Sequence, residues 1–338
     1  MQTKAFRVGV IGAGAVASKY HVPVLVALPG VSVEWVCDLD LQKAEALARS
    51  FKIPRAFSKL ADVSNVDAVL IAIPIGARAQ SWQAALDRKW HVLCEKPFAT
   101  NVAWHRDLQA RAAERGLRVA VGQMRRFFPN VELCRSVVGS GIFGRIREIV
   151  ANDGGRMRGT GRGGDWYQGS AEASGGGGMA ETGCHLIDQM VFATDIQRLS
   201  FSNASGTFVD GIDFDGVIDA EGITATGDTF PCEMTVSRIA NRRAGVHIKY
   251  DHCFLSLPVG IGDSVAAFDY SGNLITLLRA ETTRDISIYR AFARQWDDFV
   301  AWCRGVGECR TASSKIEPVS DMLERFYATA PQANGGAR

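Results

Sequence analysis

A short stretch around His185 holds the residues best suited to acid–base chemistry. If the chain is helical from Met179, then Glu181, His185 and Asp188 fall at positions i, i+4 and i+7, on one face of the helix. A histidine flanked by carboxylates can be oriented and made more basic, as a general acid–base requires. Two other interpretations stay open, a core histidine bonded within its helix and a metal site of two acids and one histidine. No further histidine or cysteine lies nearby at ligand spacing.

A lysine is the second candidate. Lys96 lies in the tripeptide Glu95-Lys96-Pro97, directly after the apolar segment His91–Cys94, which is predicted to be a strand. Ligands of doubly wound folds bind at the carboxyl edge of the sheet, and a lysine there can hold a substrate oxygen and favour proton transfer at a reacting carbon. The tripeptide alone is equally consistent with a loop lysine in solvent.

A glycine pattern near the start of the chain is suited to phosphate. The apolar run from Phe6 turns at Gly12 into a segment of helical spacing, and the turn reads G-x-G-x-x-A with small residues at Gly12, Gly14 and Ala17. Gly12 permits the tight turn, Gly14 lets the backbone approach a pyrophosphate, and Ala17 lets the helix pack on the strand. The N–H groups at the helix N-terminus then favour the phosphates. The alternative is a buried tight turn with no ligand.

An acid at the expected distance favours dinucleotide binding. Asp38 follows the predicted second strand, Val31–Cys37, at roughly the 20-residue spacing of an acid that binds ribose hydroxyls. A 2′-phosphate would be repelled there, because Leu39 and Asp40 offer no positive charge. The cofactor is therefore predicted to be NAD rather than NADP. The residues expected to line it in this region are Gly12, Ala13, Gly14, Ala15, Val16, Asp38 and Leu39.

The elements that would position these residues fall into two patterns. Strands and helices alternate through residues 1–122, which predicts an α/β fold with a doubly wound parallel sheet, the Rossmann architecture. From about residue 197 to 278, short strand patterns separated by Gly, Asp and Asn predict an open, mostly antiparallel sheet in a second α/β domain, 123–338. We allow for its C-terminal helix packing back on the first domain. The predicted elements are strands at 6–11, 31–37, 67–73, 91–94, 117–121 and 146–153, and helices at 16–28, 41–51, 80–88, 101–115, 130–138, 179–193, 290–304 and 317–328.

Composition excludes several classes of protein. A hydrophobic fraction of 47% and a charged fraction of 22% are typical of globular domains. The eight cysteines form no C-x-x-C pair, so we expect reduced thiols and a cytoplasmic location. We find no signal segment before the first strand, and no apolar run approaches the ~20 residues that span a membrane. We therefore expect no membrane partner.

Taken together, the motifs resemble one family. The G-x-G-x-x-A turn, Asp38, Glu95-Lys96-Pro97 and the glycine-rich run into Gly183–Asp188 occur in the order seen in the glucose–fructose oxidoreductase/inositol dehydrogenase/MocA family, and the resemblance covers about residues 5–330. It implies a Rossmann domain followed by an α/β domain with an open sheet, which in such proteins suits a homodimer or homotetramer interface.

The resemblance also implies roles for individual residues. Lys96 and His185 would serve the hydride-transfer site, Glu181 would be the partner of His185, and Pro97 would follow a cis peptide bond. Cofactor contacts would extend to Ile73, Pro74, Glu95 and Lys96. The segment 124–127 looks like the M-R-R-Y segment that borders the substrate pocket of inositol dehydrogenases. The side chains expected to contact substrate are Lys96, Arg125, Arg126, Arg156, Arg158, Arg162, Trp166 and His185.

Two positions depart from the family pattern. Similar proteins usually have Asp four residues before the histidine, where this chain has Glu181. They often read T-P-N-x-x-H after the third strand, where this chain reads Ile73-Pro74-Ile75-Gly76-Ala77-Arg78 and lacks the Thr, Asn and His. Cofactor contacts by the side chains of that loop are therefore not expected, whereas contacts by its backbone are still compatible.

Arginines are concentrated where the substrate is expected. Residues 125–162 contain eight arginines and no lysine, and residues 154–183 hold 12 of the 35 glycines. A glycine-rich loop that carries arginines could close over a carboxylate or phosphate, such as a uronate or nucleotide sugar. A solvated basic surface or ion pairs between subunits would explain the cluster equally well. Nucleic acid is not expected, because no aromatic-interleaved basic motif accompanies it.

These features predict an NAD(H)-dependent oxidoreductase that acts on a secondary alcohol or ketone of a sugar, cyclitol or sugar derivative. His185 would exchange the hydroxyl proton and Lys96 would polarise the oxygen. One alternative is an NAD-retaining glycosidase or epimerase-like enzyme that uses transient oxidation. An alternative of another class is an NAD(H)-binding regulator without turnover, which would not need both Lys96 and His185. No metal is expected.

Overall fold

The computed structural model describes residues 4–155, 170–281 and 286–330. The chain forms two compact units. The first unit takes in the chain up to Ala99, residues 103–124 and residues 288–316, and the second takes in the rest of the described residues.

In chain order, the strands are β1 (Phe6–Ile11), β2 (Val31–Cys37), β3 (Ala56–Phe57), β4 (Ala68–Ile71), β5 (His91–Cys94), β6 (Val119–Val121), β7 (Glu148–Gly154), β8 (Arg198–Val209), β9 (Ile212–Ile223), β10 (Thr229–Ser237), β11 (Gly245–Lys249), β12 (Cys253–Leu257), β13 (Ser264–Asp269) and β14 (Leu274–Arg279). The α-helices are α1 (Val22–Ala27), α2 (Leu41–Phe51), α3 (Ala79–Asp87), α4 (Val102–Ala113), α5 (Pro129–Gly139), α6 (Ala171–Ser174), α7 (Cys184–Thr194), α8 (Ile288–Cys303) and α9 (Glu317–Thr329). π-Helical turns cover Ala17–His21 and Met179–Gly183, and short 3₁₀ segments cover Leu60–Asp62, Ile75–Ala77, Met124–Phe127 and Ser313–Lys315.

The sheet of the first unit is parallel throughout. Its strand order is β3-β2-β1-β4-β5-β6, so the chain runs outward from β1 in both directions, as predicted for a doubly wound sheet. All four residues of β4 are buried, which explains its continuous apolar sequence. The register aligns Ile11 with Cys37 and Ile71, and Ile71 with Cys94. The carboxyl ends of β1, β2, β4 and β5 therefore meet at one edge.

The late helix α8 completes the core of the first unit. Its amphipathic sequence buries Phe292, Trp296 and Phe299, which belong to the same hydrophobic cluster as Val8 and Val10 of β1. Trp296 is fully buried. A residue far along the chain can thus contact the first strand and the helix that follows it.

The sheet of the second unit has the strand order β14-β13-β12-β11-β7-β10-β9-β8. Every neighbouring pair is antiparallel except β7 and β10, which confirms the predicted mostly antiparallel sheet. Two strands are longer than expected, since β8 and β9 have 12 residues each. Phe326 of α9 stacks on Phe208 of β8 at a ring distance of 5.7 Å, so this helix covers one end of the sheet.

The helix α7 differs from a surface helix. All of its residues except Phe192 are buried, including the polar residues His185, Asp188 and Gln189, so this helix lies in a core. The sequence predicts a regular helix from Met179, whereas the structure has a π-helical turn over Met179–Gly183 before α7 begins. Gly178 and Gly183 impose few limits on the backbone at this turn, and it changes the spacing between residues on either side of it.

Two further expectations concern membrane-spanning helices and the state of the cysteines. None of the helices within the described ranges is long and apolar enough to cross a membrane. All eight cysteines are free thiols, and seven of them are buried. Burial raises the pKa of the Cys94 thiol to about 11, so it remains protonated at neutral pH.

Candidate active site

The glycine turn of the first unit has the shape that a pyrophosphate requires. Gly12 has a φ of +101°, and a Cβ atom at this position would lie 2.4 Å from the carbonyl oxygen of Ala72, so only glycine fits. A Cβ atom on Gly14 would meet nothing within 4 Å, which leaves open space above the backbone at the second glycine. The side chain of Ile73 lies against Gly12 from the end of β4. These contacts fit a cofactor held by backbone groups.

Asp38 lies beside this turn. Its Oδ2 atom accepts the backbone N–H of Ala13 at 2.7 Å, and its Oδ1 atom accepts the N–H of Asp40 at 2.9 Å. Each carboxylate oxygen still has a lone pair that could accept a ribose hydroxyl. The side chain is half-buried, while Leu39 is 93% exposed beside it. The residues present therefore fit a dinucleotide whose ribose hydroxyls contact Asp38.

The candidate lysine comes from the same edge of the sheet. Lys96 follows β5, is half-buried, and precedes a cis peptide bond to Pro97, as expected. The residues predicted to contact the cofactor all follow the carboxyl ends of strands in the parallel sheet. These residues are Gly12, Ala13, Gly14, Ala15, Val16, Asp38, Leu39, Ile73, Pro74, Glu95 and Lys96.

Arg78 holds two loops of this edge together. Its side chain is buried, at 2% exposure, and its Nε atom donates to the carbonyl oxygen of Ile73 at 2.9 Å. Its Nη1 atom donates to the carbonyl oxygen of Pro97 at 2.5 Å. Arg78 occupies the position at which similar proteins have histidine. This departure from the family pattern was the only sign in the sequence that residue 78 has a different role. Sequence reasoning treated it as a lost contact, whereas the structure gives it a bracing role.

Glu95 is buried beneath Lys96, and its partner was missed from the sequence. The Oε1 atom of Glu95 lies 2.9 Å from Nε2 of His21. Burial alone would raise the pKa of this carboxyl, but the hydrogen bond from His21 and the charges of Lys96 and Arg78 hold the pKa below its ordinary value. In the sequence, His21 is a single histidine on the apolar face of the first predicted helix. A histidine in that setting is more often a core residue, so it was not predicted to belong to the site.

His185 lies in the second unit, in the first turn of α7, at 8% exposure. The two acids near it have partners of their own. Glu181 forms an ion pair with Arg238, whose guanidinium also donates to the hydroxyl of Thr182 at 3.0 Å. Asp188 receives the guanidinium of Arg126.

The two neighbouring arginines of the 124–127 segment differ in environment. Arg126 is 3% exposed, and its Nε and Nη2 atoms donate to Asp188 at 2.7–3.0 Å. Its guanidinium also lies 5.0 Å from the ring of Phe192. Arg125 has a more open side chain, at 15% exposure, and approaches Asp153 at 3.5 Å. Arg126 is thus paired in the interior, whereas Arg125 is partly exposed, and the assignment of either arginine to substrate stays a prediction.

The glycine run before His185 is anchored by Asp213. This buried carboxylate accepts the backbone N–H groups of Gly177 and Met179, each at 2.6 Å. It also accepts the hydroxyl of Tyr327 at 2.6 Å, and that hydroxyl in turn accepts the N–H of Ala180 at 3.1 Å. Burial and the Asp213 carboxylate raise the pKa of Tyr327 well above its usual value, so the hydroxyl remains a donor. The side chains of Asp213 and Tyr327 thus hold the backbone at the start of the segment that carries His185.

Some predicted positions cannot be placed. Arg156, Arg158, Arg162 and Trp166 lie outside the described residues. Among the residues that are described, no group of three or more His, Cys, Asp or Glu side chains could hold a metal ion.

Several known proteins are similar to this chain in sequence or in fold. A family model for an oxidoreductase family with an NAD-binding Rossmann fold matches residues 6–123. The trans-1,2-dihydrobenzene-1,2-diol dehydrogenase of Mus musculus is 32% identical over 195 residues, which cover 56% of this chain and 56% of the mouse protein. The chain thus matches little more than half the length of that relative.

Two solved structures share the fold over nearly the whole chain. A mutant 3-ketoreductase from Actinomadura kijaniata, in complex with TDP-benzene and NADP, has a TM-score of 0.82 at 21% identity and covers 97% of this chain and 99% of its own. Levoglucosan dehydrogenase, in complex with NADH and levoglucosan, has a TM-score of 0.82 at 17% identity and covers 97% of each chain.

The matched model, the parallel sheet and the glycine turn agree with the motifs read from the sequence. Residues 6–123 thus match the NAD-binding Rossmann domain of the glucose–fructose oxidoreductase/inositol dehydrogenase/MocA oxidoreductases.

Proposed function

We propose that the protein is an NAD(H)-dependent oxidoreductase that transfers hydride to or from a secondary alcohol or ketone of a sugar, cyclitol or sugar derivative. The observation that carries the proposal is the shared edge in the first unit, where the glycine turn, Asp38 and Lys96 lie at the ends of neighbouring parallel strands. Ligands of doubly wound sheets bind at that edge. The similarity to a diol dehydrogenase, and the shared fold with a 3-ketoreductase and with levoglucosan dehydrogenase, support the same class of reaction.

A bound nicotinamide would exchange the hydride with the substrate carbon. In this proposal the ammonium group of Lys96 donates to the substrate oxygen and stabilises negative charge there. His185 takes the hydroxyl proton during oxidation and returns it during reduction. Glu181, through its ion pair with Arg238, fixes the end of the segment that carries His185.

The test is a screen of neutral sugars, cyclitols, uronates and nucleotide sugars, with NADH absorbance and product analysis as the two measurements. A net change in NADH with product supports the dehydrogenase or ketoreductase. Product without net change in NADH would replace it by the NAD-retaining alternative, and no turnover with intact NADH binding would replace it by the regulator. A higher kcat/KM for charged than for matched neutral sugars would support the anionic substrate that the arginine-rich segment suggests.

The cofactor preference is a separate prediction. We expect NADH to bind at least tenfold more tightly than NADPH, which is about 1.4 kcal/mol, because a 2′-phosphate would lie beside the Asp38 carboxylate. Fluorescence titration with both cofactors measures it. Asp38→Asn is the matched control, since the amide oxygen can still accept the N–H of Ala13 while the negative charge is lost. The Asp38→Asn variant should show a smaller preference for NADH over NADPH. Tighter binding of NADPH than of NADH by the unaltered protein would contradict the assignment of NAD as the cofactor.

We also retain the proposal of a cytoplasmic homo-oligomer. The buried thiols suit a reducing compartment. The second unit leaves apolar side chains exposed on its edge strand β14, with Leu274 at 57%, Ile275 at 54% and Leu277 at 44% exposure. A dimer or tetramer built on this sheet would cover them.

A further inference from the structure

Three buried side chains of the first unit form a chain of hydrogen bonds that ends at Lys96. The indole Nε1 of Trp296 lies 3.0 Å from Nδ1 of His21, and Nε2 of His21 lies 2.9 Å from Oε1 of Glu95. The other oxygen of Glu95 accepts the backbone N–H of Lys96 at 3.1 Å. Trp296 and His21 are fully buried, and Glu95 is 7% exposed.

The donors fix where the protons lie. An indole nitrogen can only donate, so Nδ1 of His21 must accept and carries no proton. The imidazole proton then lies on Nε2 and is donated to the Glu95 carboxylate, an assignment that follows from the bonding pattern. Trp296 thereby selects one neutral tautomer of His21, and His21 stabilises the charged form of Glu95.

The backbone of Gly122 packs closely against the Glu95 carboxylate. A Cβ atom on Gly122, in the segment after β6, would lie 2.6 Å from Oε1 of Glu95, so any larger residue would displace the carboxylate. The N–H of Gly122 donates to the carbonyl oxygen of Cys94 at 2.8 Å and holds the two segments together. His21 ends the π-helical turn Ala17–His21, and such turns often occur at functional sites.

A buried carboxylate is costly for stability, and an apolar side chain of similar volume would often serve a core as well or better. Glu95 lies directly before Lys96, the residue of this unit that is proposed to contact the substrate oxygen. Its oxygens bond to His21 on one side and to the backbone of Lys96 on the other. The charges of Lys96 and Arg78 also favour the ionised form of Glu95 and lower its pKa.

We propose that His21, held in one tautomer by Trp296, is a positioning residue that acts through Glu95 to fix the backbone of Lys96. The contribution to turnover rests on the proposed function, whereas the effect on the Lys96 backbone does not. The test therefore uses one measurement that needs a substrate and one that needs none.

The variants are His21→Leu, which removes both nitrogen atoms, and His21→Gln, whose side-chain amide can still donate toward Glu95. Hydrogen exchange of the Lys96 amide is followed by NMR in protein labelled with ¹⁵N-lysine, where Lys96 is one of nine lysines. We expect at least tenfold faster exchange in His21→Leu and nearly unchanged exchange in His21→Gln. Lys249, in the second unit, is the internal control and should not change.

On a confirmed substrate, His21→Leu should lower kcat by about 10–100-fold, the cost seen when a hydrogen bond that orients a metal ligand is lost, with NADH affinity within about threefold. His21→Gln should recover most of that loss. If His21→Leu does not fold, Trp296→Phe removes the indole donor and keeps the ring, and a smaller acceleration of Lys96 exchange is expected.

Lys96 exchange that is equal in His21→Leu and the unaltered protein would overturn the proposal, as would equal exchange in Trp296→Phe where that variant is used. If no substrate is found, the proposed function fails, but the exchange measurement still decides whether His21 fixes Lys96.

Discussion

Alanine at Lys96 or at His185 is expected to lower turnover by ~10²–10⁴-fold, the usual cost of losing a positioned acid–base or charge-stabilising group. NADH binding should remain nearly unchanged, because the glycine turn and Asp38 supply most of the proposed cofactor contacts. The measurements are kcat and KM on a confirmed substrate, with NADH affinity by fluorescence as the check on folding and cofactor binding.

Matched controls separate this chemistry from the general loss of a side chain. Lys59 and His252 are exposed residues in the first and second units, and alanine at either should leave turnover unchanged. Glu181→Gln should be milder than His185→Ala, since Glu181 is proposed to support the segment rather than to exchange the proton. Near-normal turnover in His185→Ala would show that another group moves the proton.

The elements that a sequence predicts well are those in which local signals agree. The helix Leu41–Phe51 and the strand His91–Cys94 were predicted at their observed bounds. In α2, the side chain of Asp40 accepts the N–H groups of Gln42 and Lys43 and so caps the helix N-terminus. The strand β5 lies between β4 and β6, and its residues 92–94 are apolar and buried.

The two π-helical turns could not be predicted. Each covers only five residues, Ala17–His21 and Met179–Gly183, too few for the apolar spacing to separate a π turn from an α-helix. The second turn matters for the site, because the expected alignment of Glu181, His185 and Asp188 assumed a regular helix. In the structure these acids bond to Arg238 and Arg126.

The hydrogen-bond and ion-pair partners of the candidate residues could not be predicted from neighbouring sequence either. His21 and Trp296 are 275 positions apart and meet only because α8 returns to the core of the first unit. Arg126 and Asp188 are 62 positions apart, and nothing in the run Arg125-Arg126 indicates which arginine is buried. A sequence identifies the residue types that could act, whereas tertiary packing decides which of them are available to a ligand.

Asp188→Ala is expected to lower the free energy of unfolding by roughly 3–5 kcal/mol, because it would leave the charge of Arg126 in the interior without the opposing carboxylate. The Arg126 and Asp188 side chains are 4% and 0% exposed, so water cannot replace the lost contact. Urea unfolding followed by far-UV circular dichroism measures the change.

Two further variants test the physical reason. Arg147 and Asp251 form a similar two-contact pair at 2.7 and 3.2 Å, but both side chains are more than half exposed, so Asp251→Ala should leave the unfolding midpoint unchanged. The double variant Arg126→Met with Asp188→Leu should be more stable than Asp188→Ala, because neither charge remains buried. If Asp188→Ala unfolds at the same urea concentration as the unaltered protein, the pair does not stabilise the second unit, and Arg126 again becomes a candidate for binding an anionic substrate.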